Sequence, residues 1–229
     1  MKKILLITGL FFVLVQYANA QKFDEMVNLE KYAGANTQFG RPAKGEKRVV
    51  FMGNSITENW AGKRKEFFAS NNYIGRGISG QTSSQMLLRF RQDVINLKPT
   101  LVVINAGTND IAEATGRYNP QFTLGNIKAM AELAEANGIK VILSSVLPAV
   151  SIPWNKEVQY VADKIEVLNV SIKAYAKEKG FPYIDYYSEM KDKDRAMIAG
   201  YSSDGVHPVA TGYEVMEKVA QPIIAEALK

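Results

Sequence analysis

The chain has 229 residues, with 28 Lys and Arg against 23 Asp and Glu, a formal net charge of +5. That small excess forms no basic run and gives no case for a nucleic-acid partner. The absence of cysteine and the single histidine exclude disulfides, thiolate chemistry and an ordinary zinc site.

The chain opens as an export signal. Lys2 and Lys3 precede an apolar run from Ile4 to Val15, too short to span a bilayer, and Ala18-Asn19-Ala20 is a small-x-small cleavage site. Cleavage is expected after Ala20, with no cysteine at the cut to carry a lipid. Removing these 20 of 229 residues, with their two lysines and no acid, leaves 209 residues and a charge of +3. That length suits one domain over residues 21–229, periplasmic or secreted, with no integral membrane segment.

A short helix is expected around Met26, Val27, Glu30 and Tyr32. The first strand follows at Arg48–Met52. The stretch from Trp60 to Ser70 is helix-like, and Tyr73-Ile74 is a weak second strand. Thr82-x-x-Gln85 is a capping box opening a helix striped by Leu87, Phe90, Val94 and Leu97, with Pro99 after it. Leu101–Asn105 is a third strand of the continuous apolar kind found in buried parallel sheets. A helix through Ile127 and Met130 ends at Gly138, and Lys140–Ser145 is a fourth strand. A regular helix from Val158 to Tyr175 closes at Gly180, before a fifth strand at Tyr183–Tyr186. Thr211-x-x-Glu214 is expected to cap a last helix that Pro222 kinks. Strands alternate with helices, so the fold is read as a single α/β domain: a parallel sheet with helices on both faces.

Ser55 stands at the carboxyl end of the first strand, where ligands gather in such folds. Ser55-x-x-Glu58 also fits a simple capping box, so the residue reads either as a nucleophile or as a cap. His207 lies in Asp204-Gly205-Val206-His207-Pro208, where an aspartate three residues away can orient the imidazole. The connection back to Tyr186 is long enough to bring this pair over the first strand. Asn109, directly after the third strand, is either a turn residue or an oxyanion donor, and Gly80 can offer a backbone N–H at the same place. In a sheet ordered 2-1-3-4-5 these three positions flank the switch point beside strand one. Gly75-x-Gly77-x-x-Gly80 matches a dinucleotide fingerprint but follows a weak second strand and lacks the expected downstream acid. Asp110, Asp185 and Glu189 have no spacing that favours a carboxylate-pair glycosidase. Trp60 and Trp154 read as platforms for a sugar or acyl chain, or as buried packing residues.

Four blocks in order resemble the SGNH hydrolases, the GDSL-type esterases and lipases: Gly53-Asn54-Ser55-Ile56-Thr57, Arg76-Gly77-Ile78-Ser79-Gly80-Gln81-Thr82, Ala106-Gly107-Thr108-Asn109-Asp110 and Asp204-Gly205-Val206-His207-Pro208. The resemblance implies a flavodoxin-like three-layer α/β/α sandwich with a five-stranded parallel sheet and no metal or cofactor. It implies Ser55 as nucleophile, His207 as general base and then acid, and Asp204 as its orienting partner. The oxyanion hole would comprise the Ser55 and Gly80 backbone N–H groups and the Asn109 side chain. Asn54 replaces the family's usual aspartate. The expected reaction is cleavage of short-chain, chiefly acetyl, esters on a small-molecule or glycan substrate. A lysophospholipase- or thioesterase-type lipid acylhydrolase and a non-catalytic glycan-binding protein of the same fold are the alternatives.

Overall fold

A computed structural model describes residues 26–229. The expected signal peptide and its cleavage site lie outside the described residues. An N-terminal helix α1 (Glu30–Gln38) leads into β1 (Val49–Gly53), α2 (Ser55–Lys63), α3 (Lys65–Ser70) and β2 (Tyr73–Gly77). The chain continues through α4 (Ser83–Asp93), a single 3₁₀ turn at Ile95–Leu97, β3 (Leu101–Ile104), α5 (Thr108–Ile111), α6 (Pro120–Ala136) and β4 (Lys140–Ser144). It ends with α7 (Val161–Lys179), β5 (Tyr183–Ile184), α8 (Tyr186–Met190) and α9 (Ala210–Ala227).

Among the described residues the strands form one sheet in the order β2-β1-β3-β4-β5, with every pairing parallel. Successive strand residues point to opposite faces. Val50, Met52, Val102, Ile104, Val141 and Leu143 therefore join the core under α4, α6 and α7. Val49, Phe51, Leu101, Val103 and Ile142 join a second core under α2, α3 and α9. Both faces of the central strands are buried, which is why their sequences are continuous apolar runs. The result is the three-layer sandwich expected above.

Several local expectations change. The helix expected near Trp60–Ser70 is two helices meeting at Arg64, whose guanidinium pairs with Glu217 of α9 at 2.8 Å. The capping box at Thr82 and Gln85 forms. The one expected at Thr211 does not, because α9 starts at Ala210, Thr211 donates to the Gly200 carbonyl and Glu214 faces Arg64. Pro222 lies inside the last helix, as expected. The fifth strand stops at Ile184 because the Asp185 side chain accepts from the Ser188 N–H at 3.1 Å and starts α8.

Candidate active site

Gly53 pairs in register with Gly77, and Met52 with Ile104, so β1, β2 and β3 end at one level. The segments leaving those ends carry Ser55, Gly80 and Asn109. The first segment turns tightly: a Cβ at Gly77 would collide with the α2 backbone at Asn54 and Glu58, so only glycine lets that helix start against the strand end. Asn54, fully buried, is the cap of α2, and its Oδ1 accepts from the Ile56 N–H at 3.0 Å. Its Nδ2 has no partner among the described residues. The capping box that Ser55 and Glu58 offered as an alternative reading is therefore absent. Ser55 is the first residue inside the helix, and its hydroxyl is released from capping.

The Ser55 hydroxyl lies 2.9 Å from His207 Nε2. The other ring nitrogen, Nδ1, lies 2.7 Å from Asp204 Oδ2. The loop presenting this pair is closed by an antiparallel bridge between Ser202 and Pro208. Inside it the Ser202 hydroxyl donates to the His207 carbonyl at 2.8 Å, and Gly205 turns with φ +83°. Asp204 Oδ1 accepts the His207 N–H at 2.7 Å and the Val206 N–H at 2.9 Å. Burial works against ionisation of this carboxyl, but those donors and the imidazole outweigh it and hold its pKa down at about 2. An ionised Asp204 can only accept, so Nδ1 carries the proton. That leaves Nε2 free to accept from Ser55, the tautomer a general base needs.

Gly80 (φ +79°) sits in an exposed turn where the Gln81 N–H bonds to the Ile78 carbonyl at 3.3 Å. The backbone N–H groups of Ser55 and Gly80 find no acceptor among the described residues. Asn109 is buried, and its Nδ2 donates to the Gln81 carbonyl at 2.9 Å, which occupies one of its two N–H bonds. Asp110 is buried behind it, accepting the Ser83 N–H at 2.9 Å and the Thr123 hydroxyl at 3.2 Å. Burial raises its pKa against those donors.

Ser55, Gly80, Asn109, Asp204 and His207 all line one open cleft of about 830 Å³. Trp154 forms part of its wall, half exposed, with its ring centroid 5.3 Å from that of His207. Trp60 does not reach the cleft. It is 2% exposed, stacks on Phe67 and Tyr213, and donates Nε1 to Glu217 at 3.2 Å. The platform role expected of Trp60 is therefore corrected: its indole is part of the core between α2 and α9. Asp110, Asp185 and Glu189 are absent from the cleft lining. Asn59, Glu113 and Asn155 were not foreseen there. The first was open to prediction, since a residue four after Ser55 shares its helix face.

Residues 51–215 match the model of the GDSL-like Lipase/Acylhydrolase family. The crystal structure of a GDSL-like lipase from Bacteroides thetaiotaomicron VPI-5482 superposes with a TM-score of 0.87 at 55% identity, covering 88% of this chain and 99% of that one. An uncharacterized lipoprotein, YqeF, from Bacillus subtilis is 30% identical over 128 residues. An acetylxylan esterase from Xylanibacter ruminicola is 28% identical over 158 residues. These two matches take in 48% and 60% of this chain, but only 53% and 30% of the relatives' own lengths.

Proposed function

Because the chain belongs to the GDSL-like lipase/acylhydrolase family, we propose that it is a carboxylic ester hydrolase in which Ser55 attacks and His207 and Asp204 activate it. The carrying observation is the unbroken contact from Asp204 through His207 to the Ser55 hydroxyl, at 2.7 and 2.9 Å. A serine hydroxyl is a weak nucleophile until a base takes its proton. As Ser55 Oγ bonds to the ester carbonyl carbon, its proton passes to His207 Nε2. The imidazolium that forms faces the Asp204 carboxylate. The carbonyl oxygen becomes an oxyanion, met by the N–H groups of Ser55 and Gly80 and the free N–H of Asn109. The intermediate collapses as Nε2 returns the proton to the leaving alcohol. Water, deprotonated by the same nitrogen, then releases the acid and restores Ser55.

For substrate we favour short acyl esters, acetyl above all, on a carbohydrate. Trp154 offers an aromatic face beside His207. The amides of Asn59 and Asn155 add hydrogen-bonding groups suited to hydroxyls around it. The acetylxylan esterase among the relatives agrees with that chemistry. The basic, apolar, small-x-small start of the chain favours export. Among the described residues no helix is long and apolar enough to cross a membrane.

The reading is tested with p-nitrophenyl acetate, longer p-nitrophenyl esters and acetylated xylo-oligosaccharides. Acetyl release is expected to exceed hexanoyl release in kcat/KM, with activity lost in Ser55→Ala. A preference for long acyl chains would overturn the substrate class, and a full rate in Ser55→Ala would overturn the mechanism.

A further inference from the structure

We infer that Glu58 is the positioning residue of the oxyanion hole: it latches the turn bearing Gly80 to the helix that bears Ser55. The inference rests on the reading of Ser55 as nucleophile and of the Gly80 N–H as oxyanion donor. Glu58 Oε2 accepts both the backbone N–H and the hydroxyl of Ser79, each at 2.7 Å. Ile78 and Gln81 at the ends of the turn are buried, but Ser79 and Gly80 between them are exposed, so packing does not hold these two. On its far side the turn is tied by the Gln81 N–H to Ile78 and by Asn109 to the Gln81 carbonyl. On its near side the Ile78 N–H bonds to the Gly53 carbonyl at 3.2 Å, and Glu58 supplies the tie to Ser79.

The geometry makes this tie specific to the reaction centre. Glu58 lies three residues after Ser55, on the same face of α2. Its carboxylate therefore moves with the nucleophile as one body. Fixing Ser79 at its N–H and its hydroxyl holds the Ile78–Ser79 peptide and the Ser79 Cα frame from which the Gly80 N–H projects, and the Gln81 N–H to Ile78 closes the turn around it. An oxyanion donor works only when it is aimed before charge develops. A carboxylate near a developing oxyanion would oppose it, and Lys31 of α1 meets this one: its Nζ lies 2.6 Å from Oε1. Neither Glu58 nor Lys31 lines the cleft, so neither is placed to bind the ground-state substrate.

The test compares Glu58→Gln, which keeps an acceptor, with Glu58→Met, which fills a similar volume without one. Both are assayed on p-nitrophenyl acetate alongside wild type and Ser55→Ala, with melting temperatures recorded. Glu58→Met is expected to lower kcat about 10-fold or more, short of the ~10²–10³ lost with a whole donor, with KM within about threefold. Glu58→Gln is expected to stay within about threefold of wild type in kcat. A wild-type kcat in Glu58→Met overturns the inference. So does a loss carried by KM, or an equal kcat loss in the Gln and Met variants. All of these leave ester hydrolysis standing if Ser55→Ala is inactive. A full rate in Ser55→Ala removes the mechanistic reading itself.

Discussion

Asn109 Nδ2 donates to the Gln81 carbonyl at 2.9 Å, so the asparagine of α5 is locked to the turn that carries Gly80. Two of the three proposed oxyanion donors are thereby held as a unit, with one N–H of Asn109 to spare. Asn109→Ala is expected to lower kcat by ~10²–10³, with KM changing far less. Steady-state kinetics on p-nitrophenyl acetate checks this. A change confined to KM would assign Asn109 to ground-state binding instead.

The two tryptophans should separate cleanly. Trp60 is buried among Phe51, Phe67, Phe68, Tyr186 and Tyr213. Trp60→Ala is expected to destabilise the fold by about 3–5 kcal/mol. Trp154 is half exposed at the cleft, so Trp154→Ala should leave stability within about 0.5 kcal/mol. It should raise KM for acetylated sugars several-fold, about 2–10-fold for an aromatic contact of ordinary strength. Urea melts and KM values for both variants decide the matter.

Asp204 sets a stability window at low pH. Its folded pKa, about 2, lies below the ~3.9 of an unfolded aspartate. Between those values the unfolded chain binds the extra proton, so stability rises with pH across that interval. The ionised group's contribution is complete above about pH 4 and disappears as pH falls through about 2. The advantage of wild type over Asp204→Asn in unfolding free energy should shrink as pH falls from about 4 towards 2. A difference that grows in acid would mean that the carboxyl is not held ionised by the His207 loop.

Arg89 has no exposure at all. It donates to the Gly53 carbonyl at 2.9 Å, to the Arg76 carbonyl at 3.0 Å and to Asp93 at 2.9 Å. Arg89→Met would leave Asp93 as a buried charge without its cation, a loss of about 3–5 kcal/mol. Pairing it with Asp93→Leu should restore part of that loss. Denaturant midpoints of the single and double variants test the coupling, and purely additive effects would contradict it.

The sequence shows most of this architecture, for a physical reason. β1, β3 and β4 are buried on both faces, and their unbroken apolar runs advertise it. β2 looks weak because Gly75 and Gly77 make room for Ala61 and the α2 backbone, and because Arg76 is buried against Tyr32 and Asn36. Such needs are set by neighbours distant in sequence. Ser55, Gly80, Asn109, Asp204 and His207 could be placed because each directly follows a strand or belongs to an ordered block. The separate fates of Trp60 and Trp154 could not, since both sit in mixed polar surroundings and only tertiary packing distinguishes them. Glu58 misled for a related reason. Its spacing from Ser55 fits a local cap, but Asn54 takes the cap and leaves the carboxylate free for Ser79.

The central claim is that Ser55 is the nucleophile. The direct measurement is reaction with a fluorophosphonate, followed by intact mass and peptide mapping. One equivalent of label on Ser55, none in Ser55→Ala and far slower labelling in His207→Ala is the predicted result. An unlabelled protein, as a glycan-binding relative of the same fold would be, or a label mapped to another residue, would contradict it.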